Sequence, residues 1–171
     1  MKKLFTLAAI ATLGFSLSAC GIKALEPEPV PLAGPHLGKM ALDHTAIANE
    51  LNVCGKKVSD FKTSLRNGFD YVSGHGEVAA VVAPEQADST LRLDSLELSC
   101  VGDKLVKGNI ITLKFKYAWK YKDDVELSQE ATAIGASEDG VKDALRLAIE
   151  NMYNYTFNAH LTKMNLGAAG K

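Results

Sequence analysis

The sequence lacks the motifs by which many enzymes are recognised. It contains no GxSxG, HExxH or GxxxxGK[ST] pattern, and no GxGxxG follows a predicted strand. Asp43 directly precedes His44, but adjacent strand residues point to opposite faces, so the two side chains would not meet. The histidines are scattered, with none three or four residues from another (His36, His44, His75 and His160). We therefore expect no enzyme activity, no metal site and no cofactor.

A basic excess is also missing. The net charge of the chain is −1, and it becomes −3 if residues 1–19, with Lys2 and Lys3, are removed. Nucleic-acid partners are recognised through clustered positive charge. The composition therefore excludes a nucleic-acid-binding role, whereas its apolar content is sufficient for one domain with its own core.

Only one long apolar run occurs, from Leu4 to about Leu17, after the positive Lys2-Lys3. About 14 apolar residues are too few to span the roughly 30 Å hydrocarbon core of a bilayer. The run ends in Leu17-Ser18-Ala19-Cys20. A cysteine directly after small residues, with leucine three positions earlier, resembles the lipobox of bacterial lipoproteins. An ordinary signal peptide with a chance cysteine is the alternative.

The lipobox resemblance implies cleavage between Ala19 and Cys20 and lipidation of Cys20 by a diacylglycerol and an amide-linked palmitate. Three acyl chains would anchor the protein stably, because one chain alone binds a membrane only reversibly. Gly21 resembles the enteric pattern for transfer to the outer membrane. We expect attachment to its inner leaflet, with the domain facing the periplasm.

The other two cysteines, Cys54 and Cys100, are an even pair in an oxidising compartment, so a disulfide between them is expected. Two free buried thiols are the alternative.

Composition divides the chain into segments. Residues 1–19 form the signal peptide, and residues 20–38 form a lipidated, proline-rich tether (Pro27, Pro29, Pro31 and Pro35). A docking strip is the alternative interpretation of this stretch. Residues 39–163 form a single domain, and residues 164–171 are expected to be a flexible tail.

Hydrophobic periodicity predicts the elements of the domain. A strand is expected near residues 40–47, although Ala46 to Leu51 suits a helix equally well. A helix follows, with one apolar face (Val58, Phe61, Leu65, Phe69 and Val72). Residues 90–100 alternate with a slip at Asp94-Ser95, which indicates a β-bulge.

Strands 110–121 and 125–134 are predicted to form a hairpin. A three-residue turn, with Asp124 in the left-handed backbone conformation, sets Trp119 opposite Leu127. A two-residue turn would instead place polar residues on the inner face of the sheet. Lys120 and Lys116 then pair with Glu126 and Glu130. Ser137 is expected to cap a last helix that fades near Leu161, with one apolar stripe (Val141, Leu145, Ala148, Met152 and Tyr155).

The expected fold is therefore an α+β two-layer sandwich. Its antiparallel sheet has 3–4 strands and two helices on one face, in the order strand-helix-strand-strand-strand-helix. The inner-face aromatics Tyr117, Trp119 and Tyr121 are candidates for a ligand or partner surface, and a core beneath the helices is the favoured alternative.

The lipobox, tether and element order together resemble small outer-membrane lipoproteins of the transport-auxiliary and lipopolysaccharide-assembly kind. The resemblance rests on Leu65 to Phe69, Leu91 to Leu98 and Ala144 to Met152. It implies a non-catalytic accessory or scaffold that binds an envelope protein, within a lipid or lipopolysaccharide transport system. The alternative is a carrier of lipid or another small ligand, with a pocket between helices and sheet.

Overall fold

The computed structural model describes residues 38–74, 79–101, 108–122 and 126–169, with side chains up to residue 162. Its elements, in chain order, are β1 (Lys39–Asp43), β2 (Leu51–Val53), β3 (Lys56–Val58), α1 (Phe61–Gly74), β4 (Ala80–Val81), a 3-10 turn (Pro84–Gln86), β5 (Ser89–Val101), β6 (Asn109–Tyr121), β7 (Glu126–Ser137) and α2 (Val141–Ala169). No helix within these described ranges is long and apolar enough to cross a membrane.

The main sheet has five strands, in the order β4-β1-β5-β6-β7. β1 pairs in parallel with β4 and β5, whereas β5, β6 and β7 pair antiparallel. The α+β class is confirmed, but the expectation of a purely antiparallel sheet of 3–4 strands is wrong. The parallel β1–β4 pair arises because α1 forms a crossover between the two strands. β4 has only two residues, too few to show an alternating pattern.

β6 and β7 pair in the predicted register, and β5 has the predicted bulge. Trp119 lies opposite Leu127, and the register slips between Leu93 and Ser95, as expected for a bulge. The predicted turn spans residues 122–124, of which Asp123 and Asp124 lie outside the described residues.

On the outer face of the β6–β7 hairpin, one of the two predicted ion pairs is replaced by another. Glu130 binds Lys116 at 3.5 Å, as expected, and also Lys114 at 2.9 Å. Glu126 instead binds Arg92 of β5 at 2.7 Å. The forked guanidinium of Arg92 makes two hydrogen bonds to this carboxylate, which a lysine ammonium cannot match.

β2 and β3 form a separate hairpin that the periodicity did not indicate. Its turn residues Cys54 and Gly55 have φ angles of 52° and 73°, as a two-residue type I′ turn requires. Val58 therefore belongs to β3, and α1 begins at Phe61. The other four apolar residues predicted for α1 are buried (Phe61, Leu65, Phe69 and Val72).

Two boundaries differ from those expected. β1 ends at Asp43, because its carboxylate accepts hydrogen bonds from the Thr45 N–H and hydroxyl and forms a turn. Ser137 is the last residue of β7, and α2 starts four residues later at Val141. The Ser137 hydroxyl accepts a hydrogen bond from Asp139 N, within the turn before the helix. α2 continues to Ala169, beyond the expected fade near Leu161.

The core joins both helices to the inner face of the sheet. Phe157 of α2 contacts Phe69 of α1 and Trp119 of β6, with ring centroids 5.6 and 6.0 Å away. Gly135 lets β7 approach α2 closely, since a Cβ there would lie 2.1 Å from the Ala144 carbonyl oxygen. Of the predicted stripe on α2, four residues are buried, whereas Tyr155 is 45% exposed at the side of the sheet.

Candidate functional site

The predicted lipid-attachment residue Cys20 lies outside the described residues, as do Ala19 and residues 21–37 of the predicted tether. Cleavage before Cys20 and acylation of its amine and thiol stay predictions. The described chain begins at Gly38, immediately before β1.

The second cysteine prediction is confirmed, since Cys54 and Cys100 form a disulfide with their Cα atoms 5.5 Å apart. Cys100 pairs with the buried Ile111, on the inner face of β5. The disulfide therefore holds the turn of the β2–β3 hairpin against the end of this face.

The aromatic row of β6, formed by Tyr117, Trp119 and Tyr121, is mostly buried. Tyr117 and Trp119 are 1% and 2% exposed, and Tyr121 is half-buried. Trp119 Nε1 donates to the Thr156 carbonyl at 3.2 Å, and the Tyr117 hydroxyl donates to Gln129 at 2.6 Å. Burial raises the pKa of Tyr117 to about 12. Because their polar ends are satisfied within the domain, these side chains act as core.

His160 packs against this aromatic row, a contact that the sequence did not indicate. Its ring is 2% exposed and stacks on Trp119 and Tyr121, with centroids 4.5 and 5.2 Å away. The Tyr121 hydroxyl hydrogen-bonds to Nδ1. Burial lowers the pKa of His160 from 6.5 to about 4, so the imidazole is neutral at physiological pH.

His44 and its neighbour Asp43 do not form an acid–base pair of the kind used in catalysis. The Asp43 carboxylate is engaged with Thr45, at 2.7 Å from its hydroxyl, and these hydrogen bonds lower the pKa of Asp43. Burial lowers the pKa of His44. In the described part of the chain, no group of three or more His, Cys, Asp or Glu residues is placed to hold a metal ion.

An open groove of about 900 Å³ lies between β3, α1 and the first turns of α2. Its floor is apolar, with Val58 of β3, and with Leu145 and Ile149 of α2, which are 4% and 2% exposed. Gly68 brings α1 close to α2 here, because a Cβ would lie 2.5 Å from Cγ2 of Ile149. Tyr71, 49% exposed, stands at the margin.

The rim of this groove is charged. Lys56 and Lys57 lie on the hairpin side, and the side of α2 has a mixed set, with Asp139 before the helix, Lys142, Asp143 and Arg146 in its first turns, and the buried Glu150 below them. Arg146 donates to Asp143 at 2.8 Å and to Glu150 at 2.7 Å. These two hydrogen bonds raise the pKa of Arg146, while hydrogen bonds from Ser137 and Arg146 lower that of Asp143.

None of the groove residues was singled out from the sequence as a site. The one available signal was Gly68, since glycine inside an amphipathic helix costs stability unless close packing requires it. The β3 wall could not be anticipated, because its hairpin was not predicted. An apolar floor with a charged rim suits non-covalent docking.

No protein-family model and no curated protein matches the chain. A solved structure of a Xanthomonas campestris protein of the DUF330 family has a TM-score of 0.57 and 12% identity, covering 81% of this chain and 90% of that one. The minor lipoprotein of Acinetobacter baumannii has a TM-score of 0.45 and 10% identity, covering 70% and 87%. The rare lipoprotein B of Shewanella oneidensis has a TM-score of 0.41 and 13% identity, covering 77% and 97%.

At identities of 10–13%, the similarity between this chain and these structures concerns the fold alone.

Proposed function

We propose that the protein is a lipid-anchored, non-catalytic accessory subunit of a cell-envelope assembly, and that it binds a protein partner. The groove between β3, α1 and α2 is the observation that carries this proposal, because it combines an apolar lining, in which Val58 is partly exposed and Tyr71 is 49% exposed, with charged groups at a solvent-open rim. Protein interfaces have the same anatomy, with an apolar centre and a polar rim.

The anchor completes the proposal. Lipidated Cys20 would hold the chain at the periplasmic side of the outer membrane, and the proline-rich tether would separate the domain from the lipid surface. A transport system for lipid or lipopolysaccharide is the assembly that the sequence resemblance favours.

The alternative of a lipid carrier receives less support. A carrier needs space between helices and sheet, but Trp119, Phe157 and Phe69 pack against one another there. Extraction of the purified protein should therefore yield no stoichiometric lipid beyond the acyl chains on Cys20.

Native gel electrophoresis of membranes solubilised in mild detergent tests the proposal. The wild-type protein should migrate in a defined complex, and Cys20→Ser should lose it because the protein no longer reaches the membrane. A wild-type protein that migrates only as a monomer would contradict the accessory role. A stoichiometric extracted lipid would favour the carrier.

A further inference from the structure

We infer that the groove binds an amphipathic helix of the partner, with an acidic flank against the β2–β3 hairpin and a basic flank against the start of α2. This inference rests on the proposed function and specifies the chemistry of the partner.

The shape of the groove favours a helix. The α1 residues along it lie on one helix face (Ser64, Asn67, Gly68 and Tyr71), and the α2 residues Val141, Leu145 and Ile149 form a facing row with a spacing of four. Two adjacent helices present such rows as ridges, and a third helix packs between them. The short side chain of Ser64 leaves room for a close approach, whereas Ile149 of α2 already fills the space at Gly68. Amphipathic helices are recognised in apolar grooves of this kind.

The charges of the two walls have opposite sign. The hairpin contributes Lys56 and Lys57, of which Lys57 is bound to Glu50 at 2.7 Å. The α2 side has three carboxylates and two cations, a net charge of −1, and Arg146 is bound to two of those carboxylates, Asp143 and Glu150. A helix with acidic residues on one flank and basic residues on the other complements both walls. An anionic lipid headgroup would be attracted to one wall and repelled by the other.

The position of the groove also favours a protein rather than the bilayer. The chain reaches the sheet at Lys39, and β1 there pairs with the start of β5, opposite Tyr121 and near His160. The groove takes its α2 residues from the other end of that helix. Leu145 and His160 are 15 positions apart, which is about 22 Å along a helix. The groove therefore lies at the end of the domain away from the point where the chain enters the sheet.

Site-specific photo-crosslinking with the full-length lipidated protein in its own membranes tests this inference. A photoreactive residue at Asn67, exposed and in the groove, is compared with one at Arg66, which is exposed on the opposite side of the same helix and is not part of the groove lining. We expect an adduct at Asn67 with at least about ten times the yield at Arg66. Mass spectrometry should place it in a segment with apolar residues at i, i+3 or i+4, and i+7.

The charge pattern is tested in the same assay. Lys56→Ala/Lys57→Ala should lower the adduct yield at Asn67 by about tenfold. The matched variant Lys114→Ala/Lys116→Ala removes two cations from the outer sheet face and should leave the yield unchanged. Equal losses in both variants would overturn the charge argument.

An adduct with lipid, an adduct with a strand-like segment, or no adduct at Asn67 would overturn the inference. A protein adduct found only at a photoreactive Lys116 would refute the groove while leaving the proposed function intact. Failure to find a complex on native gels would refute both.

Discussion

His160 and Trp119 stack with their ring centroids 4.5 Å apart, so a titratable imidazole lies inside the aromatic core. The Tyr121 hydroxyl hydrogen-bonds to Nδ1 of the same imidazole. The stability of the domain is therefore linked to proton uptake by this core.

The first prediction is acid sensitivity between about pH 6.5 and pH 4. The unfolded chain binds a proton near the ordinary histidine pKa of about 6.5, but folded His160 does so only near 4. The unfolded state thus binds more protons in this range, so stability is complete above it and decreases as the pH falls, by up to about 3 kcal/mol.

Urea unfolding at several pH values measures this loss. His160→Phe keeps an aromatic ring and removes the titration, so its free energy of unfolding should change less between pH 6.5 and pH 4 than that of the wild type. Parallel pH profiles for the two proteins would contradict the assignment. The comparison also isolates His160 from His44, whose pKa is lowered as well.

The second prediction concerns the sheet faces. Trp119→Ala should lower the free energy of unfolding by about 3–5 kcal/mol, as large aromatic truncations in cores do. Lys116→Ala on the outer face should leave it nearly unchanged, because exposed ion pairs contribute little. If Trp119→Ala kept full stability but lost lipid or partner binding, the aromatic row would be a functional surface.

The third prediction concerns the contact between β7 and α2. Gly135→Ala would place a methyl group 2.1 Å from the Ala144 carbonyl oxygen, so strand and helix must separate. Overpacking of this kind costs about 1–3 kcal/mol. Gly74→Ala is the control, since its Cβ would meet nothing within 4 Å. Equal midpoints for both variants in urea would show that the contact is looser than described.

The fourth prediction concerns the disulfide. The bond joins residues 46 apart, and Cys54→Ser/Cys100→Ser should destabilise the domain by about 4 kcal/mol in the chain-entropy description. Thiol titration of the denatured, unreduced wild type should find no free thiol at either position. Two reactive thiols in protein isolated from the periplasm would refute the bond.

The fifth prediction is that Cys20→Ser abolishes lipidation. Metabolic labelling with a fatty-acid analogue should mark the wild type and leave the variant unlabelled, since the thiol is the acceptor. Labelling that persists in the variant would exclude Cys20 as the acceptor.

The parts of the fold that could be predicted are those whose side chains repeat along the chain. The alternation of apolar and polar residues along β6 predicted which face of this strand is buried. The register between β6 and β7, with Trp119 opposite Leu127, could be predicted because any slip would bury charged residues. The bulge before Ser95 was visible as a change of phase. β2 and β3 have three residues each, too few for a period to appear.

The candidate groove could not be predicted for a related reason. Its walls come from the unpredicted hairpin and from two helices that are far apart in sequence. Periodicity shows which face of a helix is buried, but not which helix lies beside it. Gly68 marked a close contact without naming Ile149 as the residue contacted.

The placement of β1 determines how the domain would bear mechanical load from its anchor. Gly38 and Met40 accept backbone hydrogen bonds from Ala80 and Val82, while Lys39 accepts one from Asp88 on the other side. A pull on the residues before Gly38 is directed along β1, which lies between two parallel neighbours. Such a force shears these hydrogen bonds together instead of breaking them one at a time. The domain would thus resist unfolding if the proposed anchor and the proposed partner pulled it in opposite directions.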